Sequence, residues 1–140
     1  MNRYVKGARC ERELLSKLNE MGYSIIRAAG SGVNSISPDI MGIKKDHALC
    51  FECKAWDSSS ISIDHEKYAS LMKWRTNTGM GTYMAWRVSN EGWYFIALEE
   101  LVKNEKSYSI TLKKAKSIDR RLERVIAEMS KIPIKEVVTT

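Results

Sequence analysis

The sequence predicts an α/β domain: a mixed five-stranded sheet flanked by helices. Three observations carry that prediction. Apolar residues recur at helical spacing near both ends of the chain and alternate with period two between them. Two pairs of strand-like runs are joined by tight-turn sequences, Lys45-Asp46 and Asn90-Glu91-Gly92, as hairpins require. A helical pattern separates the hairpins, giving the order α-β-β-β-α-β-β-α, and 140 residues suffice for one domain with a real core.

The first helix is expected over residues 7–21, where Cys10, Leu14, Leu18 and Met21 form one stripe and Gly22 supplies a stop. Glu11 shares a face with Leu15 and Leu18 and leans inward, while Glu13, Lys17 and Glu20 read as solvated. Arg3, Lys6, Arg9 and Arg12 oppose the helix macrodipole, but with the helix N-terminus they are placed to meet phosphate. Residues 23–28 read as the first strand and 29–38 as a Gly/Ser-rich loop open to close backbone approach. Residues 39–44 and 49–54 form the first hairpin, and the Ser-rich stretch 56–63 reads as a mobile loop. Asp64 can cap a helix running to residue 77, with Tyr68, Leu71, Met72 and Arg75 on its inner stripe. Residues 82–88 and 93–97 form the second hairpin, whose Trp86, Trp93, Tyr94 and Phe95 suit either sheet core or a subunit interface. Residues 98–103 suggest a short helix, and 104–116 are polar and basic. Residues 117–131 suggest an amphipathic helix, with Ile118, Leu122, Val125, Ile126 and Met129 inward and Arg120, Arg121, Glu123 and Arg124 mostly outward. The expected organisation is one domain: a core over 6–104, a basic segment and helix over 105–131, and a tail over 132–140.

A net charge of +6 favours a polyanionic partner, most simply nucleic acid. No apolar run approaches the roughly 18 residues of a membrane span, and the first residues carry no secretory apolar core. Three cysteines, an odd number, do not form a disulfide framework and point to a reducing, cytoplasmic setting. Cys50 and Cys53 do not read as a thiolate metal site, because a strand sends positions three apart to opposite faces.

The chemistry gathers around the run Leu49-Cys50-Phe51-Glu52-Cys53-Lys54. Positions two apart in a strand face one side, so Glu52 and Lys54 point together. A charge on a buried strand costs several kcal/mol unless it finds a partner. The two are therefore either a buried ion pair or a site. The hairpin brings Asp39 toward them, and Glu11, Arg27 and Ser31 share the cleft. Three carboxylates without a nearby histidine suit a hard cation, Mg²⁺ or Mn²⁺ before Zn²⁺. With Lys54 to orient or deprotonate water, such a set hydrolyses phosphodiesters.

Asp39, twelve intervening residues, then Glu52-Cys53-Lys54 resembles the Asp-(x)n-Glu-x-Lys signature of restriction-endonuclease-like nucleases. Lys6-Gly7-(x)3-Glu11-Arg12-Glu13, Arg27-x-x-Gly30-Ser31, Pro38-Asp39-Ile40 and Phe51-Glu52-Cys53-Lys54, in that order, resemble the archaeal Holliday junction resolvases of the Hjc type over residues 6–98. The resemblance implies a restriction-endonuclease-like core and a Mg²⁺-dependent homodimer that nicks four-way, branched DNA symmetrically. By motif it makes Glu11, Asp39 and Glu52 metal ligands and gives Lys54 the nucleophilic water. It also gives Arg12 and Arg27 a phosphate and places Ser31 in the loop at the active site. Lys67 stands where relatives often carry Gln, which leaves one water-orienting or DNA-contacting role open. The rival readings are an endonuclease of the same fold acting on mismatched or specific duplex DNA, and a DNA-binding module that does not cut.

Overall fold

The computed structural model describes residues 3–28 and 37–129, the first three by backbone alone. Helix α1 spans Arg3–Glu20 and is followed by strands β1 (Ser24–Arg27), β2 (Ile40–Lys44), β3 (His47–Lys54) and β4 (Ser60–Asp64). Helix α2 (His65–Thr78) leads to β5 (Gly81–Val88) and β6 (Gly92–Ala97). A 3₁₀ turn over Leu98–Glu100, strands β7 (Val102–Lys103) and β8 (Ser107–Thr111), and helices α3 (Leu112–Ile118) and α4 (Leu122–Met129) complete it.

The expected mixed five-stranded sheet is present, in the order β1-β2-β3-β5-β6. Only β3 and β5 pair in parallel; the other neighbours are antiparallel. Two apolar layers cover its faces. On one, Leu14 and Leu18 of α1 and Leu122 and Val125 of α4 pack on Leu49, Phe51 and Phe95. On the other, Leu71 of α2, Ile61, Ile63 and Ile110 of β4 and β8, and Ala115 of α3 pack on Met84, Trp86 and Ile96. The alternation of β3 therefore sends Phe51 into the first layer and Cys50 and Glu52 toward α2. Trp86, Trp93, Tyr94 and Phe95 are all buried, so the aromatic hairpin is core and not an interface. Among the described residues no helix is long and apolar enough to cross a membrane.

The structure corrects several expectations. Helix α1 begins at Arg3, ahead of residue 7. The Ser-rich stretch ends in β4, and the polar stretch after residue 104 contains β8. With β7 these make a second sheet, in the order β4-β8-β7. The physical reason is the alternation Ser60-Ile61-Ser62-Ile63, which buries two isoleucines beneath two polar neighbours. The expected helix over 98–103 is one 3₁₀ turn followed by β7.

The expected helix over 117–131 is two helices, broken where Asp119 adopts a left-handed conformation with φ 46°. The break lets the chain pass along the edge of β6. There the Phe95 N–H donates to the Arg120 carbonyl at 2.9 Å, and Arg120 Nη1 donates back to the Phe95 carbonyl at 3.1 Å. Arg120 is thus buried, not outward, and its guanidinium is held by both oxygens of Glu100 at 2.6 and 3.0 Å. Glu13 is not simply solvated either, since Arg87 Nε donates to it at 3.2 Å and Trp93 Nε1 at 3.3 Å.

Candidate active site

Asp39 lies just before β2, yet its backbone continues the sheet. Its N–H donates to the Phe51 carbonyl at 3.0 Å, and its carbonyl accepts from the Ala28 N–H at 2.9 Å. Both bonds fix where the side chain starts. Its Oδ2 accepts from the Cys53 N–H at 2.9 Å, which leans the carboxylate across the end of β3.

Glu52 comes from β3 on the α2 side and is only 8% exposed. Burial, and after it the negative charge of Asp39, pushes its carboxyl up to about 7, against the pull of Lys67 and Lys54. Its Oε1 lies 3.3 Å from Lys67 Nζ. That contact is an ion pair, and it draws the carboxyl down against burial.

Glu11 arrives from α1 and accepts from Arg27 Nε at 3.1 Å. Burial raises its carboxyl above the ordinary value, the Arg27 hydrogen bond opposes that, and Asp39 adds to it. Asp39 is therefore close enough to repel both Glu52 and Glu11, one from each layer. Lys54 shares the face of Glu52, and its Nζ lies 4.8 Å from the centroid of the Trp56 ring. Trp56 is in turn tied to the core through its carbonyl, which accepts from Trp86 Nε1 at 2.8 Å.

The donor set suits a hard cation. A buried carboxylate whose pKa is raised by burial and by a second carboxylate is an arrangement that a divalent ion relieves. Among the described residues, no three His, Cys, Asp or Glu side chains converge as a ready cage. The fit is to an ion that takes one or two carboxylates and completes its shell with water and phosphate, as Mg²⁺ does.

Of the residues expected to grip DNA, Arg9 and Arg12 are exposed on α1. Lys6 is engaged with Asp57, which also accepts from the N–H and hydroxyl of Ser89. Arg27 is paired with Glu11. The Arg3 side chain and Ser31 lie outside the described residues. The three cysteines are free, and burial holds each thiol above its ordinary value.

One residue enters the site that the sequence reading left open. Lys67, in the first turn of α2, pairs with Glu52 and donates from Nζ to the Ser37 carbonyl at 3.0 Å. Asp64 positions that turn, its Oδ1 accepting the Lys67 N–H at 2.7 Å. The sequence signal was the capping residue three positions before Lys67.

The family model of the archaeal Holliday junction resolvase (Hjc) matches residues 2–132. A crossover junction endodeoxyribonuclease Hjc of Archaeoglobus fulgidus is 30% identical over 106 residues, covering 75% of this chain and 78% of the relative. One from Methanocaldococcus jannaschii is 30% identical over 138 residues, 98% of each chain. The solved structure of Archaeoglobus fulgidus Hjc shares the fold with a TM-score of 0.77 at 24% identity, covering 87% of this chain and 96% of that one. The chain belongs to the archaeal Holliday junction resolvase family and is an endonuclease.

Proposed function

We propose that this resolvase acts as a single nuclease domain within a homodimer, placing paired symmetric nicks in four-way DNA junctions by metal-assisted hydrolysis. The observation that carries the reading is Asp39, held by backbone hydrogen bonds between the ends of β1 and β3, close enough to Glu52 and Glu11 to raise the pKa of both. Asp39 and Glu52 would hold Mg²⁺ or Mn²⁺, with Glu11 supporting the site. When bound, such an ion would polarise the phosphodiester and supply an activated water. Lys54, on the face of Glu52, orients that water and offsets charge developing on the phosphate. Arg27 holds Glu11 in place and offers its remaining donors to phosphate, and Ser31 serves in the active-site loop. Arg9 and Arg12 on the exposed face of α1 track the backbone, with Arg3 and Lys6 nearby in the chain. A four-way junction has approximate two-fold symmetry, which a C2 dimer with two identical sites matches.

The test is cleavage of a labelled junction beside a duplex, a mismatch and a flap, with Mg²⁺ and with chelator. Paired nicks confined to the junction and dependent on Mg²⁺ are expected. Asp39→Ala should reduce cutting by a hundredfold or more while leaving junction binding within a few-fold. Equal cutting of plain duplex would favour a different endonuclease, and no cutting under any condition would favour a binding module.

A further inference from the structure

Lys67 has no role in the reaction as set out above, yet it touches the most deeply buried carboxylate of the site. Its side chain is 16% exposed, and its Nζ is held from two sides, by Glu52 Oε1 at 3.3 Å and by the Ser37 carbonyl at 3.0 Å. Ser37 stands two residues before Asp39 in sequence, so one ammonium connects α2, Glu52 and the segment that delivers Asp39. Lys54, the other amine on that face, is held over Trp56.

We infer that Lys67 is a built-in competitor for the divalent ion, a positioning residue whose displacement couples metal loading to DNA binding. This rests on the metal-site reading proposed above. The ammonium offsets the charge of the same oxygen that would hold the ion, so loading the ion and releasing Lys67 are one event. The released amine sits on a flexible four-carbon stem, and a DNA phosphate is the nearest new partner that the reaction itself brings. Metal and DNA each favour the state in which Lys67 has left Glu52, so each strengthens the other, as linkage requires. A DNA-free protein then loads metal weakly, which keeps the nuclease idle away from its substrate. Gln at this position carries no charge and would impose no such competition.

The experiment measures Mn²⁺ affinity of the full chain without DNA, by electron paramagnetic resonance, for wild type, Lys67→Gln, Lys67→Arg and Glu52→Gln. The expected result is affinity at least tenfold tighter in Lys67→Gln and near wild type in Lys67→Arg. Thermal melts confirm folding, and Lys67→Met replaces the Gln variant if the latter does not fold. A second readout is junction affinity in Ca²⁺ against chelator, where the gain should be larger for wild type than for Lys67→Gln. Unchanged or weaker Mn²⁺ affinity in Lys67→Gln, with binding still abolished by Glu52→Gln, overturns the inference and leaves the metal site standing. Mn²⁺ binding that ignores Glu52→Gln removes the metal site as well.

Discussion

Glu52 is a carboxylate in a place that suits chemistry better than stability. Its pKa, pushed to about 7 by burial first and by Asp39 second, lies above the ordinary Glu value. Between the ordinary value and about 7 the folded protein keeps a proton that the unfolded chain has shed, so Glu52 makes stability fall as pH rises through that window. Glu52→Gln removes that charge but leaves Lys67 without its carboxylate, so the gain is partial. In chelator at pH 8 the variant should be more stable than wild type by about 2 kcal/mol, and the difference should shrink toward pH 4.5. Denaturant titrations at the two pH values measure it. At this scale the sequence was informative where the geometry is local: period two placed Glu52 with Lys54, and the hairpin register placed Asp39 beside them. It left the role of Lys67 open and misplaced Glu13 and Arg120, expected as solvated and outward. Each finds its partner across at least one other element, and no spacing rule reports such partners.

Among the elements, α2 bears on the site through its first turn, which sets Lys67 against Glu52. Asp64 caps that turn. Asp64→Ala should cost about 1 kcal/mol of stability through the lost cap, read from a thermal or denaturant melt. It should also loosen the Lys67 contact with Glu52, so Mn²⁺ affinity without DNA should rise in this variant as well, by less than in Lys67→Gln. Both ends of α2 were legible, from Asp64 at one and from Gly79, at φ 72°, at the other. Strand β4 was readable in principle, since Ile61 and Ile63 alternate with serines, but serine content outweighed a period of only two isoleucines. The break between α3 and α4 was not readable. The apolar stripe from Ile118 to Met129 is continuous in sequence, and only the edge of β6 gives the chain a reason to turn at Asp119.

For the whole molecule, the proposed DNA contact draws on the exposed cations of α1 within a net charge of +6. Arg9 and Arg12 are exposed, whereas Lys6 already serves Asp57 and Arg27 serves Glu11. Replacing both Arg9 and Arg12 by Gln should lower the slope of log affinity against log salt by about 2, at roughly 0.9 for each phosphate contact. Filter binding of a junction over a range of salt reads this directly, and an unchanged slope removes α1 from the DNA interface. The five-stranded sheet and its flanking helices were legible because their signals are period and turn chemistry. The second sheet was not, because β4 and β8 lie far apart in sequence and pair across the intervening α2, β5 and β6.

Helix α4 lies against the same layer as α1, while α3, immediately before it, belongs to the layer beyond the sheet. Met129 comes so near Gly81 that a methyl group added there would stand 2.8 Å from its sulfur. The last described helix thus seals the compartment that the first one opened. Leu122 and Val125 of α4 complete the layer that buries Leu14, Leu18 and Phe95. The layer on which the helix of Glu11 packs is therefore completed by residues far from it in sequence, and loss of α4 should loosen α1 with it.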